Sequence, residues 1–272
     1  MLSTVDGQRL ELVTARGHAY AMLAHGWAYP DDGWRQVITE DARWKLWPET
    51  LIRSDSRFQE PLFELRKSVR RLSARNGYHD ELLGAYSRLF GHAIRGACPP
   101  YELEYGASEI IQQASELADI AGFYEAFGLD QGNGCRERPD HITAELEFLG
   151  VLCAKEALGL NTGDGALTER SGDAERAFLK DHAARWLPAF CRRVESSDSD
   201  WFYGPLASFT AVFVAVECLR FEISAGPQWL ELRPSDPNAD AAIECDGLPN
   251  GADAAQAQSV PLTINGVPRR SA

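Results

Sequence analysis

The sequence predicts an all-α protein: a single-domain helical bundle with a flexible C-terminal tail. Two observations point to the bundle and a third to the tail. Apolar residues recur at helical spacing through nearly every long segment between residues 10 and 224. Strand signals are scarce: β-branched residues rarely alternate with polar ones, and no Asn-Gly pair joins two strand-like runs. From Pro234 onward the chain is rich in Pro, Gly, Ala and Asp and poor in large apolar residues, so it has little surface to bury.

The periodic segments place helices over residues 10–28, 33–47, 58–73, 80–95, 108–127, 140–158, 174–194 and 202–224. Such helices bury their apolar stripes against one another. The helix over 140–158 has the clearest start. Pro139 has a fixed φ and needs no N–H partner, which suits the first turn of a helix. Ile142, Leu146, Leu149 and Cys153 then recur as its buried face. Residues 159–172, rich in Gly, Thr, Asp and Ser, read as a hinge-like loop that would permit domain swapping. The expected organisation is therefore a helical domain over 1–233 and an acidic tail over 234–272.

Composition narrows the function classes. At 272 residues, 44% hydrophobic and 25% charged, the chain matches an ordinary soluble domain with a full core. Its net charge of -13 argues against nucleic acid and anionic membrane surfaces and suits a basic partner. The first seventeen residues lack a basic stretch followed by an apolar run, and the longest strongly apolar run, Ala211 to Val216, is too short to span a bilayer. The cytoplasm is the expected location. The six cysteines form no C-x-x-C pair and no zinc-spaced cluster, so they read as reduced thiols. No phosphate-cradling loop, H-E-x-x-H pair or nucleophile elbow is present, and neither a metal nor a cofactor is expected.

The chemistry-bearing residues concentrate around Pro139-Asp140-His141-Ile142-Thr143-Ala144-Glu145. Asp140 falls at the cap or in the first turn, where a carboxylate favours the positive end of the helix dipole. His141 and Glu145 lie four apart on one side of that helix. Asp140 and His141 are expected to face outward, with His141 able to change charge near neutral pH. Asp140, Glu102 and Glu104 are candidate carboxylates, and Tyr101, Tyr105, Trp201, Phe202 and Tyr203 candidate aromatic anchors for a bound segment, with core packing the alternative for the aromatics.

Together with Cys98-Pro99-Pro100-Tyr101-Glu102-Leu103-Glu104-Tyr105 upstream, and Trp201-Phe202-Tyr203-Gly204-Pro205 downstream, the block Pro139-Asp140-His141-x-x-x-Glu145-Leu146-Glu147-Phe148 resembles the TorD/DmsD/NarJ family of cytoplasmic chaperones for molybdenum oxidoreductases. The likeness runs from about Leu12 to Ala225. It implies a non-enzymatic protein that binds the precursor of a molybdopterin-containing catalytic subunit, through its twin-arginine leader or its apo form. Such a protein would assist cofactor insertion and delay export, as a monomer or swapped dimer. Carried over by motif, the client-binding residues are Tyr101, Glu102, Pro139, Asp140, His141 and Glu145. The pair Leu103-Glu104 stands where several relatives have Ser-Val. Two other classes remain open from the residues themselves: a small-molecule or nucleotide-binding enzyme using Asp140, His141 and Glu145, and a structural subunit of the redox complex.

Overall fold

The computed structural model describes residues 4–31, 33–40, 47–74, 78–91, 96–106, 110–130, 138–197, 201–234 and 263–264. The helices are α1 (Thr4–Trp27), α2 (Trp34–Glu40), α3 (Trp47–Ser54), α4 (Gln59–Ala74), α5 (Tyr78–Phe90), α6 (Ile110–Ala126), α7 (Ile142–Thr162), α8 (Gly165–Phe178), α9 (Ala184–Ser197) and α10 (Tyr203–Arg220). Short 3-10 turns occupy Ser56–Phe58 and Glu102–Glu104. The all-α expectation holds. Among the described residues, the paired strands are two residues long: β1 (Leu129–Asp130) runs antiparallel to β2 (Thr263–Ile264). The rest of the expected tail lies outside the described residues.

Packing follows the apolar stripes. Helix α1 lies along α7, α7 against α8, and α9 against α10. At the centre, the Trp27 ring meets Phe90 edge-on at 5.9 Å and Phe190 at 4.9 Å. A second aromatic group joins Phe148 to Tyr124 at 4.9 Å and to Phe178 at 4.8 Å. One buried guanidinium ties four helices together: Arg16 of α1 pairs with Glu175 of α8 and with Glu217 of α10, and reaches Glu156 of α7 at 3.7 Å. Burial raises the Glu175 carboxyl to about 8 despite that cation.

Most of the loop expected over 159–172 is helix. Helix α7 runs to Thr162, and Gly163 caps it in the left-handed region at φ 75, which glycine adopts without cost. The Asp164 carboxylate then accepts the Leu167 amide at 3.0 Å and starts α8. Thr168 and Ser171 are buried, so these polar residues of the expected loop form, with Glu175, part of the inward face of α8. Of the expected 33–47 helix, Trp34–Glu40 form α2 and Trp47 belongs to α3, while residues 41–46 lie outside the described residues.

Helices α8 and α9 form one rod through a wide π-type turn at Leu179–Ala183. Pro188 lies inside α9. It has no amide hydrogen for the carbonyl one turn back, that of Ala184. That oxygen accepts the Gly226 amide instead, at 2.8 Å.

Candidate functional site

All six site residues expected from the sequence come together where the 138–142 turn crosses the 101–105 segment. The crossing is held by backbone: the Glu102 amide donates to the Asp140 carbonyl and the Ile142 amide to the Pro100 carbonyl, both at 2.9 Å. Tyr101 and His141 form an isolated antiparallel bridge, with their rings edge to face at 5.0 Å. Pro139 contributes its carbonyl, which accepts the Tyr124 hydroxyl of α6 at 2.8 Å.

Asp140 and His141, expected to face outward, are buried, as are Glu102 and Glu145, while Tyr101 and Pro139 are half-buried. Asp140 and Glu145 are 0% exposed, His141 2% and Glu102 5%. Buried polar groups need partners, and here the chain supplies them. The Asp140 carboxylate accepts from Arg138 Nε at 2.9 Å and Nη2 at 2.6 Å, and from the Leu103 amide at 3.1 Å. The forked pair closes the turn on itself. Arg138 also lies 4.8 Å above the Tyr101 ring and 3.8 Å from Glu104. Asp140 is not the helix cap: His141 Nδ1 accepts the Thr143 amide at 3.2 Å, a role that requires that nitrogen unprotonated.

Beneath this turn runs a chain of ionisable groups. The Trp186 indole of α9 donates to Glu145 Oε2 at 3.0 Å. Burial pushes the Glu145 carboxyl well above the usual carboxylate range, and the nearby Glu102 adds to the shift. Burial raises Glu102 too, against the pull of His182. His182 Nδ1 lies 3.2 Å from Glu102 Oε2, and its Nε2 lies 3.0 Å from Asp119 Oδ2. Burial alone would lower this imidazole, but the two carboxylates outweigh it and raise its pKa. A protonated ring donates to both at once. His182, on the π turn and only 2% exposed, lies in the wall of an open cleft of about 640 Å³, bordered also by Glu116, Asp119, Asp181 and Arg185. The chain therefore links the buried turn to an open cleft bordered by the carboxylates of Glu116, Asp119 and Asp181.

A family model described as nitrate reductase delta subunit matches residues 53–192, a stretch that takes in α4 to α8 and most of α9. The chain belongs to that family. Among curated relatives of this family, the selenate reductase assembly chaperone protein of Thauera selenatis is 43% identical over 90 residues, 33% of this chain and 46% of that protein. The chlorate reductase assembly chaperone protein of Ideonella dechloratans is 41% identical over the same shares. The perchlorate reductase assembly chaperone protein of Dechloromonas aromatica (strain RCB) is 25% identical over 231 residues, 80% of this chain and 96% of that protein. The chain spans about half the length of the first two relatives. The resemblance carried by the Pro139–Phe148 block is borne out.

Among the candidate aromatics, the core-packing alternative holds for Phe202, Tyr203 and Tyr105. Phe202 and Tyr203 are 0% exposed and serve as core, against Trp34 at 5.1 Å and Phe90 at 5.1 Å respectively. Tyr105 is nearly buried and packs on Trp186 at 5.3 Å. Glu104 is buried between Arg138 and Arg233. The site also uses residues that the sequence did not assign to it: Arg138, Asp119, Tyr124, His182 and Trp186. Only Arg138 had a local signal, a cation two positions before the carboxylate. Among the described residues, no group of three or more His, Cys, Asp or Glu is placed to hold a metal ion, and no helix is long and apolar enough to cross a membrane.

Proposed function

We propose that the protein is a cytoplasmic maturation chaperone. It binds the precursor or apo form of a molybdopterin-containing oxidoreductase catalytic subunit, assists cofactor insertion and delays export. The observation that carries the reading is the open acidic cleft backed by the Glu102–His182–Asp119 chain, in a protein whose relatives are named as reductase assembly chaperones. Carboxylates at a cleft of this kind suit a basic segment such as a twin-arginine leader, and the net charge of -13 draws such a segment in. In this reading Tyr101, Glu102, Pro139, Asp140, His141 and Glu145 act mainly by fixing the wall of the cleft. No bond is made or broken: the work is preference for the apo client over the mature one.

The test is to titrate the full chain with the catalytic subunits of selenate, chlorate and perchlorate reductases, each in apo and cofactor-loaded form. One apo subunit is expected to bind at least about 100-fold more tightly than its loaded form, a coupling within the usual allosteric range. Equal affinity for both forms in every pair, or steady turnover of a small substrate without a client, refutes the reading.

A further inference from the structure

Beyond α10 the chain runs extended across the outside of α9 and reaches the site at Arg233. Gly226 seats it on the Ala184 carbonyl, and a Cβ at this position would collide with the Arg185 carbonyl oxygen. Arg193 Nη2 donates to the Leu230 carbonyl at 3.2 Å, and its guanidinium lies 5.0 Å over the Trp229 ring, which is 67% exposed. The strand-like end then pairs with the 104–106 segment. The Gly106 amide donates to the Glu231 carbonyl and the Arg233 amide to the Glu104 carbonyl, both at 2.9 Å, and Tyr105 faces Leu232 across an antiparallel bridge. Within residues 228–234 only Arg233 is buried, and its Nη2 lies 3.4 Å from Glu104 Oε1.

These contacts are those of an extended peptide added to an edge: main-chain hydrogen bonds hold it, and one side chain in a pocket selects it. The pocket is anionic and continuous with the site, because Glu104 shares Arg138 with Asp140. The occupying segment is weakly held, since its other side chains are exposed or only half-buried, and segments with few buried contacts open at low cost.

We propose that residues 104–106 form a docking strip for an extended, arginine-bearing segment of the client, and that the chain's own residues 229–233 fill the strip until that segment displaces them. The proposal rests on the client-binding reading above and adds to it an internal competitor. Glu104 selects the arginine, Gly106 and the Glu104 carbonyl pair with the main chain, and Arg233 stands in for the client's cation.

The experiment uses the full chain and a short synthetic peptide carrying two adjacent arginines, with a matched peptide carrying glutamines in their place. In the wild-type chain, the di-arginine peptide is expected to speed hydrogen exchange at the Arg233 amide several-fold. The Gly106 amide stays protected, because a peptide carbonyl replaces that of Glu231. Arg233→Ala removes the internal competitor, so the same peptide binds about tenfold more tightly than to wild type, and Arg233→Lys lies between. The glutamine peptide binds neither chain. If the di-arginine peptide binds but the Arg233 amide and the Arg233→Ala affinity are unchanged, the internal competitor is refuted. If neither chain binds the peptide while an apo client still binds, the strip is refuted and the client reading survives. If the apo client also fails to bind, both fall. Should Arg233→Ala not fold, the exchange measurement on the wild-type chain decides alone.

Discussion

The forked pair between Arg138 and Asp140 lends itself to a quantitative test. Asp140→Ala removes a carboxylate with no exposure and leaves Arg138 beside it with its side chain 21% exposed. Breaking a buried pair costs about 3–5 kcal/mol. Arg138 regains some water here, so the lower end, about 3 kcal/mol, applies. The Leu103 amide loses its acceptor as well, adding about 1 kcal/mol. The sum, near 4 kcal/mol, far exceeds the cost of losing a helix cap, about 1 kcal/mol. For a chain of this size it lowers the thermal midpoint by roughly 10 °C. Urea unfolding of wild type, Asp140→Ala, Arg138→Ala and the double variant gives the pairwise term. The coupling is expected at about 2 kcal/mol, within the range for residues in direct contact. A single-variant loss below about 1 kcal/mol, or no coupling, would show that the turn does not depend on this pair, and the account of how the site is held would fail.

Other perturbations test neighbouring parts. Glu145→Gln should leave the midpoint within about 2 °C of wild type, because burial already favours the neutral carboxyl, whereas Glu145→Ala orphans the Trp186 indole and should cost about 2 kcal/mol. Glu175 binds its proton up to about pH 8 in the fold but only to the ordinary carboxylate value when unfolded, so its contribution to stability falls as pH rises through that window. Glu175→Gln should flatten the unfolding free energy between about pH 5 and 8, and an unchanged slope would contradict the burial account. His182 has its pKa raised, so its share of stability is full below the unfolded value and lost as pH rises through the folded one; His182→Gln should remove that component from the same titration. Gly226→Ala should lower the midpoint by a few degrees through collision with the Arg185 carbonyl, which differential scanning calorimetry would detect.

Much of the fold was legible because helical periodicity is a local signal. Pro139 marked the start of α7 to within a few residues, and the stripe Ile142, Leu146, Leu149 and Cys153 is fully buried. The 159–172 segment misled because composition does not reveal which way a residue faces. Its Thr168 and Ser171 point inward, as does Glu175 just beyond it, and a cation from α1 accounts for Glu175. The turn itself was written there, in Gly163 and Asp164, but it is only two residues long. Site residues clustered in sequence were recovered: Tyr101 with Glu102, and Pro139 to Glu145. Asp119 and His182 come from α6 and the π turn respectively, where a single ionisable residue on a helix resembles any solvated one. Their role depends on Glu102 being brought between them and Glu145, a relation between distant segments that no local pattern encodes.

Pro188 has a consequence far from its own turn. The Ala184 carbonyl that it leaves free becomes the fixed peg from which the C-terminal segment is measured out. Alternate residues of an extended chain face opposite ways, so the length of chain after the peg decides which side chain reaches Glu104. At its present length that side chain is Arg233. One residue fewer would draw Pro234 into that place, with neither a guanidinium for the carboxylate nor an amide hydrogen for the carbonyl. One residue more would present Leu232 to the same carboxylate. A proline in the middle of a helix thus works as the zero mark of a ruler, and the tolerance of that ruler is less than one residue.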